Sequence, residues 1–251
     1  MKEGYRYLIS FVILLFLWWL VSFIVGQFVT GPKSTRLPGP ISAIDAIIQN
    51  WSQLGNHFTI SAVRLAISLL ISTALGASLG LIIGFEEGLK ENLSPFIYLL
   101  YPLPKVVFLP LILVLIGINN VSRIVFIILV VMFQVLLSSR DAAKNISRDW
   151  VTVIESSGGS HWQVYRHVVI PASLPSILSS VRISIGLGIA ALYLAETTYA
   201  NQGLGYYIRS TWKIFSYPEV FAGILSMGLL GLGFYIIIDI LERVLCRWQN
   251  P

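Results

Sequence analysis

Between Tyr7 and Pro32 the chain carries no charged residue. A helix needs about 20 apolar residues to cross a bilayer core of about 30 Å, so a charge-free stretch of this length points into lipid. The pattern recurs. Apolar runs fall at residues 7–25, 60–85, 95–117, 124–137, 174–197 and 220–241, which predicts an all-α polytopic membrane protein of about six transmembrane helices. The third run is interrupted by Pro102, Pro104 and Pro110 with Lys105 among them, and the fourth is short but uncharged.

Composition agrees. Only 12% of the residues are charged and the mean hydropathy is +0.79, whereas a soluble domain averages about 25% charged residues. Too few charges remain to clothe a water-facing surface. The net charge of +5 and pI near 9.4 fit basic residues gathered in loops beside the membrane, not nucleic-acid binding. Cys246 is the single cysteine, with no disulfide or metal-ligand partner of its kind. His57, His161 and His167 form no metal constellation, and no nucleophile motif orders the serines. Lys2 and Arg6 precede the first run, but the run exceeds the about 7–15 apolar residues of a signal peptide and reads as a retained span. The chain therefore reads as one transmembrane domain: a short tail and first span over 1–36, a core over about 37–248, and a large loop over about 138–172.

An even number of spans puts both termini on one side. Placing them in the cytoplasm puts Lys2, Arg6, Lys90, Arg140, Lys144, Arg148, Arg166, Arg243 and Arg247 inside, and leaves only Lys33, Arg36, Arg209 and Lys213 outside. The external segments are then 26–57, with Gly31-Pro32, Leu37-Pro38-Gly39-Pro40 and a short amphipathic helix over 41–51, and 201–218, with turn signals from Asn201 to Gly205.

The largest cytoplasmic loop, 138–172, reads as structured. Residues 140–155 have apolar positions at Ile146, Trp150, Val153 and Ile154, a helical spacing. Gly158-Gly159 breaks that helix, and Ser160-His161-Trp162-Gln163 restarts it as a capping box, serine accepting from a free amide while glutamine reaches back. The new helix carries Trp162, Tyr165 and Val169 on one stripe before Pro171 and Pro175. Such a loop either packs under its own bundle or offers an apolar stripe to a partner.

The stretch from Gly158 to Pro171 resembles the cytoplasmic loop of permease subunits of type I ABC importers. That loop has the pattern Glu-Ala-Ala, three residues, Gly, nine residues, Ile-x-Leu-Pro. With the glycine at Gly158, Val168, Ile170 and Pro171 take the last three positions without a gap. Thr152-Val153-Ile154 stand where Glu-Ala-Ala is expected, with Glu155 following. Pro102-Leu103-Pro104-Lys105, Pro110-Leu111, Gly117, Leu37-Pro38-Gly39-Pro40, Arg64, Ala195-Glu196, Gly203-Leu204-Gly205 and Phe221-Ala222-Gly223-Ile224 are similar to segments of the sulfonate, taurine and nitrate branch. The resemblance implies a permease working as a pair, likewise a homodimer here. It implies docking on separate ATPase subunits that hold ATP and Mg, through Glu155, Gly158, Ser160, Trp162, Gln163, Tyr165, Arg166, Val169 and Pro171. It also implies delivery of solute by an external solute-binding protein, and no cofactor in this chain.

No phosphate-binding loop is present to make the chain itself an ATPase. Gly26 to Ser34 comes one residue off that motif, and Pro32 removes an amide the phosphates need. Ionisable residues inside spans usually face a cavity or a partner. Lys105 either lines the pathway and attracts an anion, or snorkels and pairs structurally. Arg64 and Glu196 are further pathway candidates; snorkelling at a span end, or an interfacial carboxylate, is the plainer reading of each. Arg123 and Arg182 read as span-end residues, and Asp239 with Arg243 as a pair on one helix face. Gly76, Gly80 and Gly84 read as a small-residue packing stripe, within one subunit or between two.

The expectation is thus an importer permease for a small anionic solute of the sulfonate, taurine or nitrate kind, with a vitamin precursor (a thiamine precursor or riboflavin) as the alternative. A secondary transporter or channel would leave the loop pattern unexplained, and an intramembrane enzyme would need turnover by the isolated chain.

Overall fold

The computed structural model describes residues 2–28 and 37–249; Gly31-Pro32, Lys33, Ser34 and Arg36 lie outside the described residues. Every regular element among them is helical. In order they are α1 (Lys2–Phe28), α2 (Pro40–Gln49), α3 (Trp51–Phe85), α4 (Glu87–Leu100), a 3-10 turn (Lys105–Val107), α5 (Phe108–Ile116), α6 (Asn120–Lys144), α7 (Arg148–Ser156), α8 (His161–Val164), a π-helical turn (Tyr165–Val169), α9 (Ile170–Thr197), α10 (Leu204–Lys213) and α11 (Tyr217–Leu245). Four helical runs are long and apolar enough to cross a membrane: α3, α6, His161–Thr197 and α11. The prolines of the third apolar run break it as expected, into α4 and Lys105–Ile116 bent by 73°. In α1 the described apolar part is Val12–Gln27.

The chain divides into two compact units, Met1–Ile60 with Asn201–Leu229, and Ser61–Ala200 with Leu230–Pro251. In the first, Trp18 donates to the Pro38 carbonyl (3.1 Å) and Ser22 to the Leu37 carbonyl (2.7 Å). The Leu37-Pro38-Gly39-Pro40 turn is thereby held on α1, and Pro40 opens α2 where a missing amide costs nothing. Gly203, at φ +112°, opens α10, and its amide donates to His57 Nδ1 at 3.1 Å.

The second unit is organised by a register between α3 and α6. Arg64 bonds Asn120, Ser68 reaches the Ile124 carbonyl and Ser72 the Ile128 carbonyl, each pair 56 residues apart. The same offset continues through the glycines. A Cβ on Gly76 would lie 2.8 Å from the Met132 carbonyl oxygen, and one on Gly80 or Gly84 would strike the carbonyl of Leu136 or Arg140. The stripe of small residues is therefore a contact within one chain, and it is twice as long as the three glycines suggest. Because the offset is constant, α3 and α6 run parallel. From Arg64 to Gly84 is about 30 Å at 1.5 Å per residue, so the chain must return that distance before α6 begins. The bent pair α4 and α5 makes this return, which identifies it as a broken span and not a re-entrant loop.

Helix α9 runs antiparallel to α6: Gly188 lies against Val131 and Leu65, while Pro175 and Ser180 share a groove with Ser138 and Asp141. Helix α11 in turn runs antiparallel to α9, with Gly231 beside Ile189 and Glu242 bonded to Arg182. Phe126, Ile127, Val131, Val135 and Leu192 are fully buried between them. Lipid tails are as apolar as these side chains, so their burial drives association weakly; close backbone approach and buried hydrogen bonds hold such helices together.

Two expectations about α6 need correction. It is longer than the apolar run 124–137, because Arg123 and Arg140 do not end it. Arg123 donates to the Tyr199 carbonyl at 3.0 Å, and Arg140 to the Tyr98 hydroxyl and Asp141 at 2.7 Å each, so both charges are buried with partners. Residues 140–155 are also not one helix. Helix α6 ends at Lys144, and α7 starts afresh on Ser147, whose hydroxyl accepts from the Asp149 amide.

Candidate functional site

The loop between α6 and α9 folds as a compact helical element. Helix α7 ends at Ser156, and the two glycines that follow do different work. Gly158 adopts φ +77°, where a side chain is strained. At Gly159 a Cβ would lie 2.7 Å from the Ile154 carbonyl oxygen, and its own amide donates to that oxygen at 2.9 Å. The capping box forms as its spacing predicts: Gln163 Oε1 accepts from the Ser160 amide at 2.6 Å, and the Ser160 side chain accepts from the Gln163 amide. The π-helical turn that follows widens the helix by one residue. Such bulges recur at functional positions, and this one lies between Trp162 and Pro171.

The element presents two faces. Trp162 is 66% exposed, and on α7 Trp150 and Val153 are 59% and 63% exposed. Glu155, Gly158, Ser160, Gln163 and Arg166 are exposed as well. Val164, Val168 and Val169 face inward and are buried, and Pro171 is half-buried. Tyr165 also turns inward. Its ring meets Phe85 edge-on at 5.2 Å, and its hydroxyl donates to Glu86 Oε1 at 2.7 Å. His161 Nε2 lies 2.8 Å from the same oxygen. Burial pushes the Glu86 carboxyl up, but the hydrogen bonds from Tyr165 and His161 and the charge of His161 outweigh it and hold its pKa below the ordinary 4.5. Beside it, Arg148 of α7 pairs with Glu87. The element is thus held between the ends of α6 and α9 and against the junction of α3 with α4.

At the opposite end of the same unit lies a buried charge cluster. Arg64 Nη1 is 2.8 Å from Glu196 Oε1, and the Ser61 hydroxyl donates to the same carboxylate at 2.8 and 2.9 Å. Arg64 Nη2 donates to Asn120 at 2.6 Å. Neither Arg64 nor Glu196 snorkels to an interface: Glu196 is fully buried and Arg64 nearly so. Lys105 stands elsewhere. It is the first residue of the 3-10 turn in the broken span, half-buried, donating to the Tyr101 carbonyl with its ammonium 4.9 Å from the Tyr101 ring and 5.3 Å from that of Phe133. The sequence thus located Arg64 and Glu196 but not their bond, and it missed Ser61, Asn120 and Glu86. Arg182, read as a span-end residue, pairs with Glu242 and Asp239, and Asp239 pairs with Arg243 at 2.9 Å as the four-residue spacing predicts.

The profile of the family described as "Binding-protein-dependent transport system inner membrane component" matches residues 73–249. The chain belongs to this family. It is a permease subunit of an ABC importer, an all-α multi-pass component of the inner membrane; ATP hydrolysis resides on a separate ATPase subunit and solute comes from a binding protein. The permease is 28% identical over 249 residues to the taurine transport system permease protein of Escherichia coli, covering 96% of this chain and 88% of that one. It is 34% identical over 224 residues to a putative aliphatic sulfonates transport permease protein of the same organism, covering 88% and 85%. It is 26% identical over 254 residues to the formylaminopyrimidine transport permease protein of Halalkalibacterium halodurans, covering 100% and 99%. Among solved structures, the inward-facing MetNI methionine ABC transporter matches with a TM-score of 0.65 at 15% identity, covering 78% of this chain and 98% of that one. That likeness concerns the fold alone.

Proposed function

We propose that this permease imports a small anionic solute of the sulfonate, taurine or nitrate kind, as a homodimer with cytoplasmic termini, and couples to its ATPase through the element 158–171. The observation that carries the coupling is the exposure of Trp150, Val153 and Trp162 on the short, capped helices that join α6 to α9. Aromatic anchors dominate interface energy when a partner buries them, and an element tied to two spans moves both when pushed. ATP and Mg belong to the partner. The substrate class rests on the relatives that transport taurine and aliphatic sulfonates, which are more similar in sequence than the formylaminopyrimidine permease that favours the vitamin-precursor reading. Lys105 is the pathway residue of choice, a half-buried cation at the break of a broken span. Arg64 and Glu196 neutralise each other and set the pathway's wall.

The test is reconstitution. The permease is purified with the ATPase that accompanies it, and hydrolysis is measured in liposomes with and without the solute-binding protein loaded with taurine, an alkanesulfonate or nitrate. Stimulation by one of these at two permeases to two ATPases supports the proposal. Solute movement without any ATPase returns the secondary-transporter reading, and stimulation only by a pyrimidine-loaded binding protein returns the vitamin-precursor reading.

A further inference from the structure

Glu86 is the single residue that separates α3 from α4, and it occupies the N-cap position of α4. Ser, Thr, Asp and Asn at that position accept from the free amides of their own helix, and glutamate is not among the preferred caps. Glu86 makes no such cap bond. Its Oε1 instead takes the Tyr165 hydroxyl at 2.7 Å and His161 Nε2 at 2.8 Å, both from the far side of the coupling element. The Phe85 ring closes the contact, 5.2 Å from Tyr165 and 6.1 Å from His161. The carboxylate therefore accepts its hydrogen bonds from another element and not from its own helix, which makes it a direct connection between the two.

The geometry points to Glu86 as the positioning residue that makes the α3–α4 junction move with the coupling element. The inference rests on the coupling reading proposed above. The element is joined covalently to α6 and α9 alone, so a push from an ATPase reaches those two helices through the backbone. It reaches α3 indirectly through the glycine contact with α6, whereas the element itself touches the α3–α4 junction only through side chains: Arg148 on Glu87, and the two that Glu86 carries on one oxygen. Once α3 moves it cannot slide over α6, because Gly76, Gly80 and Gly84 seat it directly on the α6 backbone. The same displacement is therefore transmitted along α3 to Arg64 and its bond with Glu196, at the other end of the unit. Without Glu86, α3 follows only through its seat on α6, and the junction with α4 loses its direct hold on the element.

The experiment compares solute transported per ATP hydrolysed in liposomes holding the permease, its ATPase and its binding protein. Glu86→Ala is expected to lower this ratio about tenfold, the scale of losing a charge-assisted hydrogen bond, while hydrolysis continues. Glu86→Gln keeps an acceptor at the same place and is expected to restore most of the ratio, which a requirement for charge alone would not allow. Tyr165→Phe removes only the hydroxyl, and in combination with Glu86→Ala it is expected to add nothing further. An unchanged ratio in Glu86→Ala, or additive losses in the double variant, overturns the inference. Where Glu86→Ala does not assemble, Glu86→Gln and Tyr165→Phe decide: a lower ratio in Tyr165→Phe with near-normal coupling in Glu86→Gln supports it, and a normal ratio in Tyr165→Phe overturns it. A wild-type complex whose hydrolysis ignores the binding protein overturns the coupling reading beneath it, a result separable from the others because it precedes any substitution.

Discussion

Arg64 and Glu196 are 132 residues apart in sequence and 2.8 Å apart in space, joining α3 to α9 where almost no solvent reaches either side chain. A buried ion pair is costly to break from one side, since the remaining charge is stranded. Arg64→Met and Glu196→Leu are each expected to cost about 3–5 kcal/mol. The double substitution is expected to recover most of that, because it strands no charge. Unfolding of the purified permease in detergent, run as a double-substitution cycle, checks this; additive losses would show that the two residues act apart.

Gly80 and Gly84 seat α3 on the α6 backbone, whereas a Cβ at Gly186 of α9 meets nothing within 4 Å. Gly80→Leu forces the helices apart and is expected to cost at least about 1–3 kcal/mol, the usual scale of overpacking. Gly186→Ala is the control, expected to leave stability level or slightly higher because alanine favours helix. Thermal unfolding in one detergent compares the two.

Trp162 and Tyr165 belong to one stripe in sequence but to different faces in space. Trp162→Ala is expected to weaken ATPase association about thirtyfold, equivalent to about 2 kcal/mol, with little change in the unfolding temperature of the permease alone. Tyr165→Ala is expected to lower that unfolding temperature, since the ring packs on Phe85. Equal effects of both on unfolding would refute the separation of faces.

The Glu86 carboxyl titrates below its ordinary 4.5 because Tyr165 and His161 favour its ionised form. A lowered pKa means that the bond contributes in full above about pH 4.5 and is lost as the pH falls through the lower folded value. The difference in unfolding temperature between wild type and Glu86→Gln is therefore expected to be present down to about pH 4.5 and to shrink below it. A gap that closes already near neutrality would assign it to another group. The facing groups are His161 and Tyr165 from the coupling element, with Glu87 paired to Arg148 alongside.

Lys105 is half-buried at the break of the third span. Lys105→Ala is expected to raise the solute concentration needed for half-maximal transport and to weaken the preference for anions, read by competition between a sulfonate and a neutral analogue. Unchanged anion preference removes Lys105 from the pathway.

The features legible in the sequence are those whose physics is local. The capping box at Ser160 and Gln163 needs only a three-residue spacing, and the stop at Gly158-Gly159 only a backbone that side chains disfavour. The Asp239–Arg243 pair needs one helical turn, and the break at Pro102 and Pro104 follows from missing amides. Hydrophobicity added the spans themselves, because lipid leaves a backbone only helix or closed barrel, and apolar runs of about 20 residues fit the helix. Where local reasoning misplaced a boundary, as at both ends of α6, a charge had found a distant partner: Tyr199 for Arg123 and Tyr98 for Arg140.

The amino-acid order by itself determined that this chain lives in a membrane, roughly where its spans lie and where the third breaks, and which loop carries the Gly158–Pro171 pattern. Each of these follows from the chain's own spacing and solvent. Only the tertiary structure decided that Arg64 and Glu196 pair, that the Gly76–Gly80–Gly84 stripe extends through Ser72 and Ser68 onto one neighbour, and that Tyr165 faces Glu86 while Trp162 faces outward. Those outcomes depend on the parallel register of α3 and α6. That register is set by which carbonyls come within reach when two helices touch, and no spacing along a single helix contains it.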